Sequence, residues 1–260
     1  MPFVELRRGR MWYEEAGSGP VIACLHGGWG RAVMPFDDAI PVLGPRWRLV
    51  FPDRFGYGRS DPIERLPLDY HARSAEDLRE LLDALGIGRA VLWGHSDGAV
   101  NAALFAAAEP GRVAALVLEA AHLHRAKSRE FFASHAADPE ILPERVRERL
   151  AADHGSRWTS VVRMHSRVWL DFHAVGGDFY EGRLETIACP TLVLHGAGDP
   201  HTPVEEIAEL ARRIPGAELE IAAEGGHSPH SEPATARFCS ERVARFLGEI
   251  AGDVVGPRFR

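Results

Sequence analysis

The sequence has few cysteines and no long apolar run. Its three cysteines, Cys24, Cys189 and Cys239, lie far apart and form no CxxC pair. This excludes a disulfide framework and favours buried free thiols. No stretch approaches the roughly 20 apolar residues of a membrane-spanning helix, and the first residues lack the apolar segment of a signal peptide. We therefore expect a soluble, cytoplasmic protein without a membrane partner.

Basic charge is also scarce. The 260 residues include 30 Lys and Arg against 37 Asp and Glu, which gives a net charge of −7. Such a chain has no basic surface of the kind that binds nucleic acid. The apolar content of 45% and the charged content of 26% are ordinary for a globular protein. The length suits one large domain with a buried core, and we expect a monomer or homodimer that binds a small molecule.

Strands and helices alternate along most of the sequence. Short apolar runs bounded by turn residues predict strands, and 3.6-residue periodicity predicts helices. An opening hairpin is predicted over residues 2–16, strands at 21–25, 48–51, 90–93, 113–118, 191–194 and 217–222, and helices at 35–43, 74–85, 100–108, 204–213 and 233–249. Continuous apolar strands are typical of a sheet covered on both faces. The order predicts an α/β fold with a mostly parallel sheet.

Residues 122–186 interrupt this alternation. Strand-like runs are missing there, and short helical patterns rich in Arg, Glu, His and Trp replace them. Because the segment is too long for a simple connection, we interpret it as a helical cap domain. The core domain would then comprise residues 1–121 and 187–260, with a loose tail over residues 253–260.

The sequence Gly94-His95-Ser96-Asp97-Gly98 lies between a predicted buried strand and a predicted helix. Gly-x-Ser-x-Gly in that context is typical of a nucleophile elbow, a sharp turn that exposes the serine hydroxyl. Gly94 and Gly98 leave space where the strand and the helix crowd together, and the helix N-terminus directs free N–H groups at the site. We therefore predict that Ser96 is a catalytic nucleophile.

A serine nucleophile needs a neighbouring base, and the base needs an orienting acid. In elbow folds the acid and then the histidine follow the serine, and catalytic groups gather at the carboxyl ends of parallel strands. Asp199 follows a predicted strand in a Gly-rich loop, and Glu119 is the alternative acid. His227 follows two glycines after the last predicted strand, and His230 is the alternative base. These positions predict a Ser96–Asp199–His227 triad.

The tetrahedral intermediate of acyl transfer also needs N–H donors for its oxyanion. The elbow supplies the N–H of Asp97, and the Gly-rich segment from His26 to Gly30 follows an early strand. We predict an oxyanion hole formed by the N–H groups of Asp97 and Gly28, with Trp29 as the alternative to Gly28.

Two histidines, His122 and His124, have a spacing that occurs in metal sites. The sequence offers no evident third ligand beside them, and a zinc site needs at least three protein ligands. We therefore expect no zinc site there and assign both histidines a surface or structural role.

These motifs, in this order, resemble the α/β-hydrolase superfamily over nearly the whole chain. The resemblance is carried by His26-Gly27-Gly28, Asp53-Arg54-Phe55-Gly56-Tyr57-Gly58-Arg59-Ser60, Gly94-His95-Ser96-Asp97-Gly98, His195-Gly196-Ala197-Gly198-Asp199 and Gly226-His227. It implies an eight-stranded sheet with helices on both faces, a helical cap inserted after strand six, the same triad and no cofactor.

The resemblance also narrows the expected chemistry. Dehalogenases and epoxide hydrolases of the superfamily carry an aspartate where this chain has Ser96. Prolyl aminopeptidases carry proline at the position of Trp29, and meta-cleavage C–C hydrolases tend to carry an aromatic residue at the position of Ser228. We expect a serine hydrolase that cleaves a small carboxylic ester or a lactone. The alternatives are an aminopeptidase-like acyl hydrolase and a non-hydrolytic member, either a cyclase or a ligand-binding receptor.

Asp97 follows the nucleophile directly, as in valacyclovir hydrolase-like enzymes, which the chain resembles in length and motif order. In those enzymes the corresponding acid binds the substrate's α-ammonium, which would imply an α-amino-acid ester hydrolase here. Alternatively, Asp97 only complements the positive end of the helix dipole. Trp29 and Trp169 are further predicted substrate contacts. Other aromatic residues of the predicted cap are pocket candidates: Phe131, Phe132, Trp158 and Phe172.

Overall fold

Eight strands form one sheet at the centre of the fold. The structure is a computed structural model that describes residues 3–250, so the predicted tail 253–260 lies outside the described residues. The strands are β1 (Phe3–Leu6), β2 (Gly9–Gly17), β3 (Val21–Leu25), β4 (Arg48–Pro52), β5 (Ala90–His95), β6 (Val113–Glu119), β7 (Thr191–Gly196) and β8 (Glu218–Ala222). Their order in the sheet is β1-β2-β4-β3-β5-β6-β7-β8.

The sheet is mostly parallel, which confirms the predicted fold class. Strand β2 pairs antiparallel with both β1 and β4. The pairs β3–β4, β3–β5, β5–β6, β6–β7 and β7–β8 are all parallel. The carboxyl ends of the parallel strands therefore meet at one edge, where β5, β6 and β7 end next to one another.

Eight α-helices accompany the sheet in the described part of the chain. They are α1 (Ile40–Leu43), α2 (Tyr70–Ala84), α3 (Asp97–Ala108), α4 (Arg129–Ala137), α5 (Glu144–His154), α6 (Trp158–Val175), α7 (Val204–Arg213) and α8 (Ala236–Glu249). Short 3-10 turns lie at Asp37–Ala39, Pro110–Arg112, Pro139–Ile141, Gly155–Arg157 and Leu184–Thr186.

Two helix boundaries differ from the sequence prediction. The helix predicted at 35–43 is a 3-10 turn followed by the short helix α1, in whose first turn Pro41 lies. Proline lacks an N–H and is tolerated only in the first turn of a helix, so an α-helix cannot run through it from residue 35. Helix α2 begins at Tyr70 rather than at residue 74, and Tyr70 and His71 are buried in the core.

Helices cover both faces of the sheet. Successive side chains of a strand point to opposite faces, and in β3 the residues Ala23 and Leu25 pack into a core shared with α2, α3 and α7. Ile22 and Cys24 point the other way, into a core shared with α1 and α8. This double burial is why the central strands read as continuous apolar runs in the sequence.

The segment from 122 to 186 is helical between β6 and β7. It contains α4, α5 and α6 and no strand of the sheet, and its His124 forms an isolated bridge with Asp178. Helix α6 packs against both α4 and α5. Its division from the rest as a cap domain stays a prediction.

Two further features concern the cysteines and the helices. Cys24, Cys189 and Cys239 are unpaired, and two of them are buried. Within residues 3–250, no helix combines the length and the apolar character needed to cross a membrane.

Candidate active site

Ser96 lies at a sharp turn between β5 and α3. Its backbone has φ 53° and ψ −118°, a conformation that non-glycine residues rarely adopt and that is costly unless the surroundings impose it. A Cβ added at Gly94 would lie 2.2 Å from the carbonyl oxygen of Gly98, and one added at Gly98 would lie 2.1 Å from that of Leu25. The two glycines therefore allow the close backbone approach that holds Ser96 at the turn.

The structure brings Ser96, His227 and Asp199 together. Ser96 Oγ lies 3.1 Å from His227 Nε2, and His227 Nδ1 lies 2.9 Å from Asp199 Oδ2. The other oxygen of Asp199 accepts from the backbone N–H groups of His201 and Thr202, at 2.7 Å and 3.2 Å. Burial alone would raise the pKa of Asp199, but the hydrogen bond and charge of His227 and the N–H of His201 lower it to about 2.

The two alternative residues pair with each other instead. His230 Nδ1 lies 2.6 Å from Glu119 Oε1, and the backbone N–H of His230 donates to the same oxygen. The second oxygen of Glu119 accepts from the indole N–H of Trp93 at 2.9 Å. Both side chains are fully buried, and neither makes a hydrogen bond with Ser96 among the contacts of the described residues.

The predicted oxyanion donors flank the serine. Asp97 is the first residue of α3, where backbone N–H groups have no acceptor within the helix. In residues 3–250 the N–H of Gly28 also has no acceptor. A Cβ at Gly28 would lie 2.3 Å from His165 Nε2, so any larger residue there requires the His165 ring to move. Trp29, the alternative donor, has a positive φ of 68°.

The carboxylate of Asp97 is enclosed by other side chains. Its Oδ1 lies 3.1 Å from His71 Nε2 and its Oδ2 lies 2.8 Å from His165 Nε2, with the Arg54 guanidinium 3.9 Å away. Burial opposes ionisation, but His165 and His71 together hold the pKa of Asp97 well below its usual range. A substrate ammonium would reach this carboxylate only by displacing His165. The role of Asp97 in amine binding therefore stays a prediction.

A small aromatic cavity opens beside Ser96. Its volume is about 50 Å³. Trp29 and Trp169, both predicted substrate contacts, line it, whereas Asp97 does not. The remaining lining residues are Gly28, Met34, Ser96, His122, Lys127, Phe131, Phe132, His165, His201 and His227. A larger crevice of about 750 Å³ between α6 and residues 62–66 contains none of the predicted site residues.

Sequence reasoning missed a second histidine at the serine. His122 Nε2 lies 3.1 Å from Ser96 Oγ, and His122 Nδ1 lies 2.8 Å from Thr202 Oγ1. Lys127 Nζ is 3.4 Å from the same Thr202 oxygen and 2.6 Å from Glu206. A signal was present, because His122 lies three residues beyond the end of β6, at the edge of the sheet where catalytic groups gather.

Among the described residues, one group of side chains has the composition and proximity of a metal site. The potential ligand atoms of His95, Glu119 and His230 all lie within 4.8 Å of one another. Hydrogen bonds already engage this group, because Glu119 accepts from His230 and Trp93, and His95 Nε2 faces the carbonyl oxygen of His227 at 2.8 Å. The group therefore forms a buried hydrogen-bond network beneath the elbow.

Known proteins resemble this chain in sequence and in fold. Residues 20–175 match the family described as alpha/beta hydrolase fold, and residues 178–250 match the family described as TAP-like protein. The human Serine hydrolase BPHL is 26% identical over 232 residues, which cover 85% of this chain and 78% of that protein.

Two further proteins extend the comparison. A 2-hydroxy-6-oxononadienedioate/2-hydroxy-6-oxononatrienedioate hydrolase of Paraburkholderia xenovorans is 27% identical and covers 86% of this chain and 88% of its own. The crystal structure of the enol-lactonase from Burkholderia xenovorans LB400 superposes with a TM-score of 0.78 at 18% identity, over 95% of this chain and 100% of that chain. The family match spans more than half of the sequence, and the chain therefore belongs to the α/β-hydrolase family and is a hydrolase.

Proposed function

We propose that the protein is a serine hydrolase that cleaves a small carboxylic ester or lactone through an acyl-enzyme. The observation that carries the proposal is the unbroken contact from Ser96 Oγ through His227 to the ionised carboxylate of Asp199. A hydroxyl, an imidazole and a carboxylate at these distances are the groups that general-base activation of serine needs.

In the first half of the reaction, Ser96 attacks the acyl carbon. Its hydroxyl proton passes to His227 Nε2 as the new C–O bond forms, and the carbonyl π electrons move to the oxygen. That oxygen accepts hydrogen bonds from the backbone N–H groups of Asp97 and Gly28. Each bond stabilises the transition state by about 3–4 kcal/mol. The intermediate then expels the alcohol, which takes the proton from His227 and leaves Ser96 acylated.

In the second half, water releases the acid. Water gives one proton to His227 as it attacks the acyl carbon, and collapse of the second intermediate returns that proton to Ser96 Oγ. Asp199, with a pKa of about 2, remains ionised at neutral pH. Its negative charge stabilises the imidazolium of His227 in both halves.

The cavity favours a small and largely apolar acyl group. Indole and phenyl rings form much of its wall, and Phe132 stacks on Trp169 with ring centroids 5.1 Å apart. Its volume of about 50 Å³ accommodates a short chain, and a longer one requires the aromatic side chains to move. The enol-lactonase whose fold the chain shares makes a lactone the second substrate to assay.

Hydrolysis of p-nitrophenyl acetate tests the proposal. We expect a burst of p-nitrophenol from the wild type, no burst from Ser96→Ala, and wild-type behaviour from Ser160→Ala, which removes an exposed hydroxyl. A Ser96→Ala variant with wild-type turnover would contradict the proposal. A wild type that binds esters without turning them over would favour the receptor alternative, and a panel of acyl lengths then measures the size limit of the cavity.

A further inference from the structure

Ser96 Oγ has two imidazoles as neighbours. His227 Nε2 and His122 Nε2 are each 3.1 Å from it, and the two rings are nearly parallel, with centroids 5.7 Å apart and an interplanar angle of 23°. The proposed triad uses only His227. His122 is buried and touches the reacting oxygen, so the position of its ring proton decides what it does there.

The hydrogen bonds fix the protons on the His227 side. The Asp199 carboxylate, with its pKa of about 2, can only accept, so His227 carries its proton on Nδ1, 2.9 Å from Asp199. His227 Nε2 is then an acceptor, and the Ser96 hydroxyl donates its single proton to it. The oxygen of Ser96 therefore has lone pairs, but no proton, for His122.

The hydrogen bonds also fix the proton on His122. Thr202 is fully buried, and among residues 3–250 its hydroxyl oxygen has two side-chain partners, Lys127 Nζ at 3.4 Å and His122 Nδ1 at 2.8 Å. Lysine only donates. If the ring proton of His122 were on Nδ1, the Thr202 hydroxyl would accept from both partners, its own proton would have no acceptor, and His122 Nε2 would face Ser96 Oγ with no proton between them. All of these contacts are satisfied only when the Thr202 hydroxyl donates to His122 Nδ1. The ring proton of His122 is then on Nε2, directed at Ser96 Oγ.

We propose that His122 is a catalytic residue whose Nε2–H donates to Ser96 Oγ and stabilises the negative charge that develops on the nucleophile. This inference rests on the proposed function. Lys127, Thr202, His122, Ser96 and His227 form a chain of hydrogen bonds. In this chain each group donates to the next one, from Lys127 to His227. The oxyanion hole donates hydrogen bonds to the carbonyl oxygen of the substrate, whereas His122 donates to the oxygen of the serine.

His122 keeps its proton throughout the cycle. As Ser96 attacks, its proton goes to His227, and Oγ carries a transient negative charge. The hydrogen bond from His122 lowers the free energy of that transition state. When the second intermediate collapses, Oγ leaves the acyl carbon with its bonding electrons and takes the proton back from His227. His122 stabilises the departing oxygen in that step too, so both acylation and deacylation depend on it.

The environment of His122 suits a neutral donor. Burial, together with the positive charge of Lys127, holds the pKa of His122 well below its usual range. The ring therefore stays neutral at the pH of an assay. Its edge-to-face contact with Trp169, with centroids 4.8 Å apart, holds it in place.

The test compares His122→Phe with His122→Gln. Phenylalanine keeps a ring against Trp169 but has no N–H, whereas the side-chain amide of glutamine can place an N–H near the position of Nε2. For His122→Phe we expect the rate of the acyl burst and the rate of Ser96 phosphonylation by a fluorophosphonate to fall by about 10- to 100-fold. We expect KM to change by less than about threefold and His122→Gln to recover most of the loss.

Two results would overturn the inference. One is a His122→Phe variant whose acylation and phosphonylation rates stay within about twofold of wild type. The other is a His122→Gln variant as slow as His122→Phe with a raised KM, since that pattern belongs to a residue that only shapes the pocket. If Ser96→Ala abolishes turnover while His122→Phe does not, the inference fails and the proposed function stands.

A second measurement applies even where the Phe variant does not fold. In the wild type, ¹⁵N NMR should assign the proton of His122 to Nε2, and a proton on Nδ1 would overturn the inference whatever reaction the enzyme catalyses. Thr202→Val removes the hydroxyl that fixes this tautomer and should slow acylation by about tenfold. Thr202→Ser keeps the hydroxyl and should stay near wild type, whereas equal rates for the two variants would contradict the proposed tautomer.

Discussion

Replacing Asp199 by asparagine tests how the triad works at the level of single protons. The carboxylate accepts from the N–H groups of His201 and Thr202 with one oxygen and from His227 with the other. An asparagine that keeps the two backbone bonds turns its NH₂ group toward His227. The imidazole then has to accept on Nδ1 and carry its proton on Nε2, where it faces Ser96 and cannot act as a base.

The size of the effect follows from two contributions. The pKa of Asp199, about 2 against an ordinary 3.8, is a net value in which burial opposes the hydrogen bonds and charges of His227 and its neighbours. Since one pKa unit equals about 1.4 kcal/mol, this shift corresponds to about 2 kcal/mol of net stabilisation of the carboxylate by its surroundings. A transition-state loss of the same size lowers kcat by about 30-fold. The wrong tautomer adds to this, and we expect a total loss of about 10³- to 10⁴-fold in kcat.

Steady-state kinetics with p-nitrophenyl acetate measures this loss. KM should stay within about threefold of wild type, since Asp199 does not line the cavity. Asp83→Asn, which changes an exposed carboxylate on α2, is the matched control and should leave kcat unchanged. An Asp199→Asn variant that keeps more than about a tenth of wild-type kcat would refute this reasoning about the tautomer.

Three further predictions follow from the same contacts. Gly28→Ala places a Cβ 2.3 Å from His165 Nε2 and should lower kcat/KM by about 100-fold, whereas Gly88→Ala, with nothing within 4 Å, should match wild type in the same assay. Asp97→Ala should destabilise the fold by about 1–3 kcal/mol in urea unfolding, because it removes a buried carboxylate that contacts two buried imidazoles, His71 and His165. A selective loss of activity on α-amino esters would instead support amine binding. The pH profile of kcat/KM should fall on the acid side with the slope of one proton, because the proposed mechanism uses a single general base, and a slope of two protons would show that a second base takes part.

Most of the fold was predictable because burial of the central strands requires apolar residues that are visible in the sequence. Strands such as β3 and β5 are buried on both faces and therefore read as continuous apolar runs. The start of α2 was not predictable from its leucine periodicity, which begins at Leu78. Tyr70 and His71 extend the helix because the tertiary core buries them, and that contact has no signature in a single sequence.

The site was predictable only for the candidate catalytic residues that follow the carboxyl ends of strands. Ser96 comes directly after β5, and Asp199 and His227 lie in the loops that follow β7 and β8. The structure brings the three side chains within hydrogen-bonding distance. His165 was not predicted because it lies in the middle of α6, 68 residues from the Asp97 carboxylate that it faces. His71, in α2, lies 26 residues from Asp97 and was missed for the same reason. Helix interiors carry no local pattern that singles out a histidine with a distant partner.

The central claim is that Ser96 carries the acyl group during turnover. Rapid acid quenching of the wild-type enzyme with p-nitrophenyl acetate, followed by peptide mass spectrometry, locates that group directly. We expect one acetyl group on Ser96 in the wild type and none at this position in Ser96→Ala. Turnover without acetylated Ser96 would contradict the proposed mechanism. So would an acetyl group that forms only on another residue and is released from it at the rate of turnover.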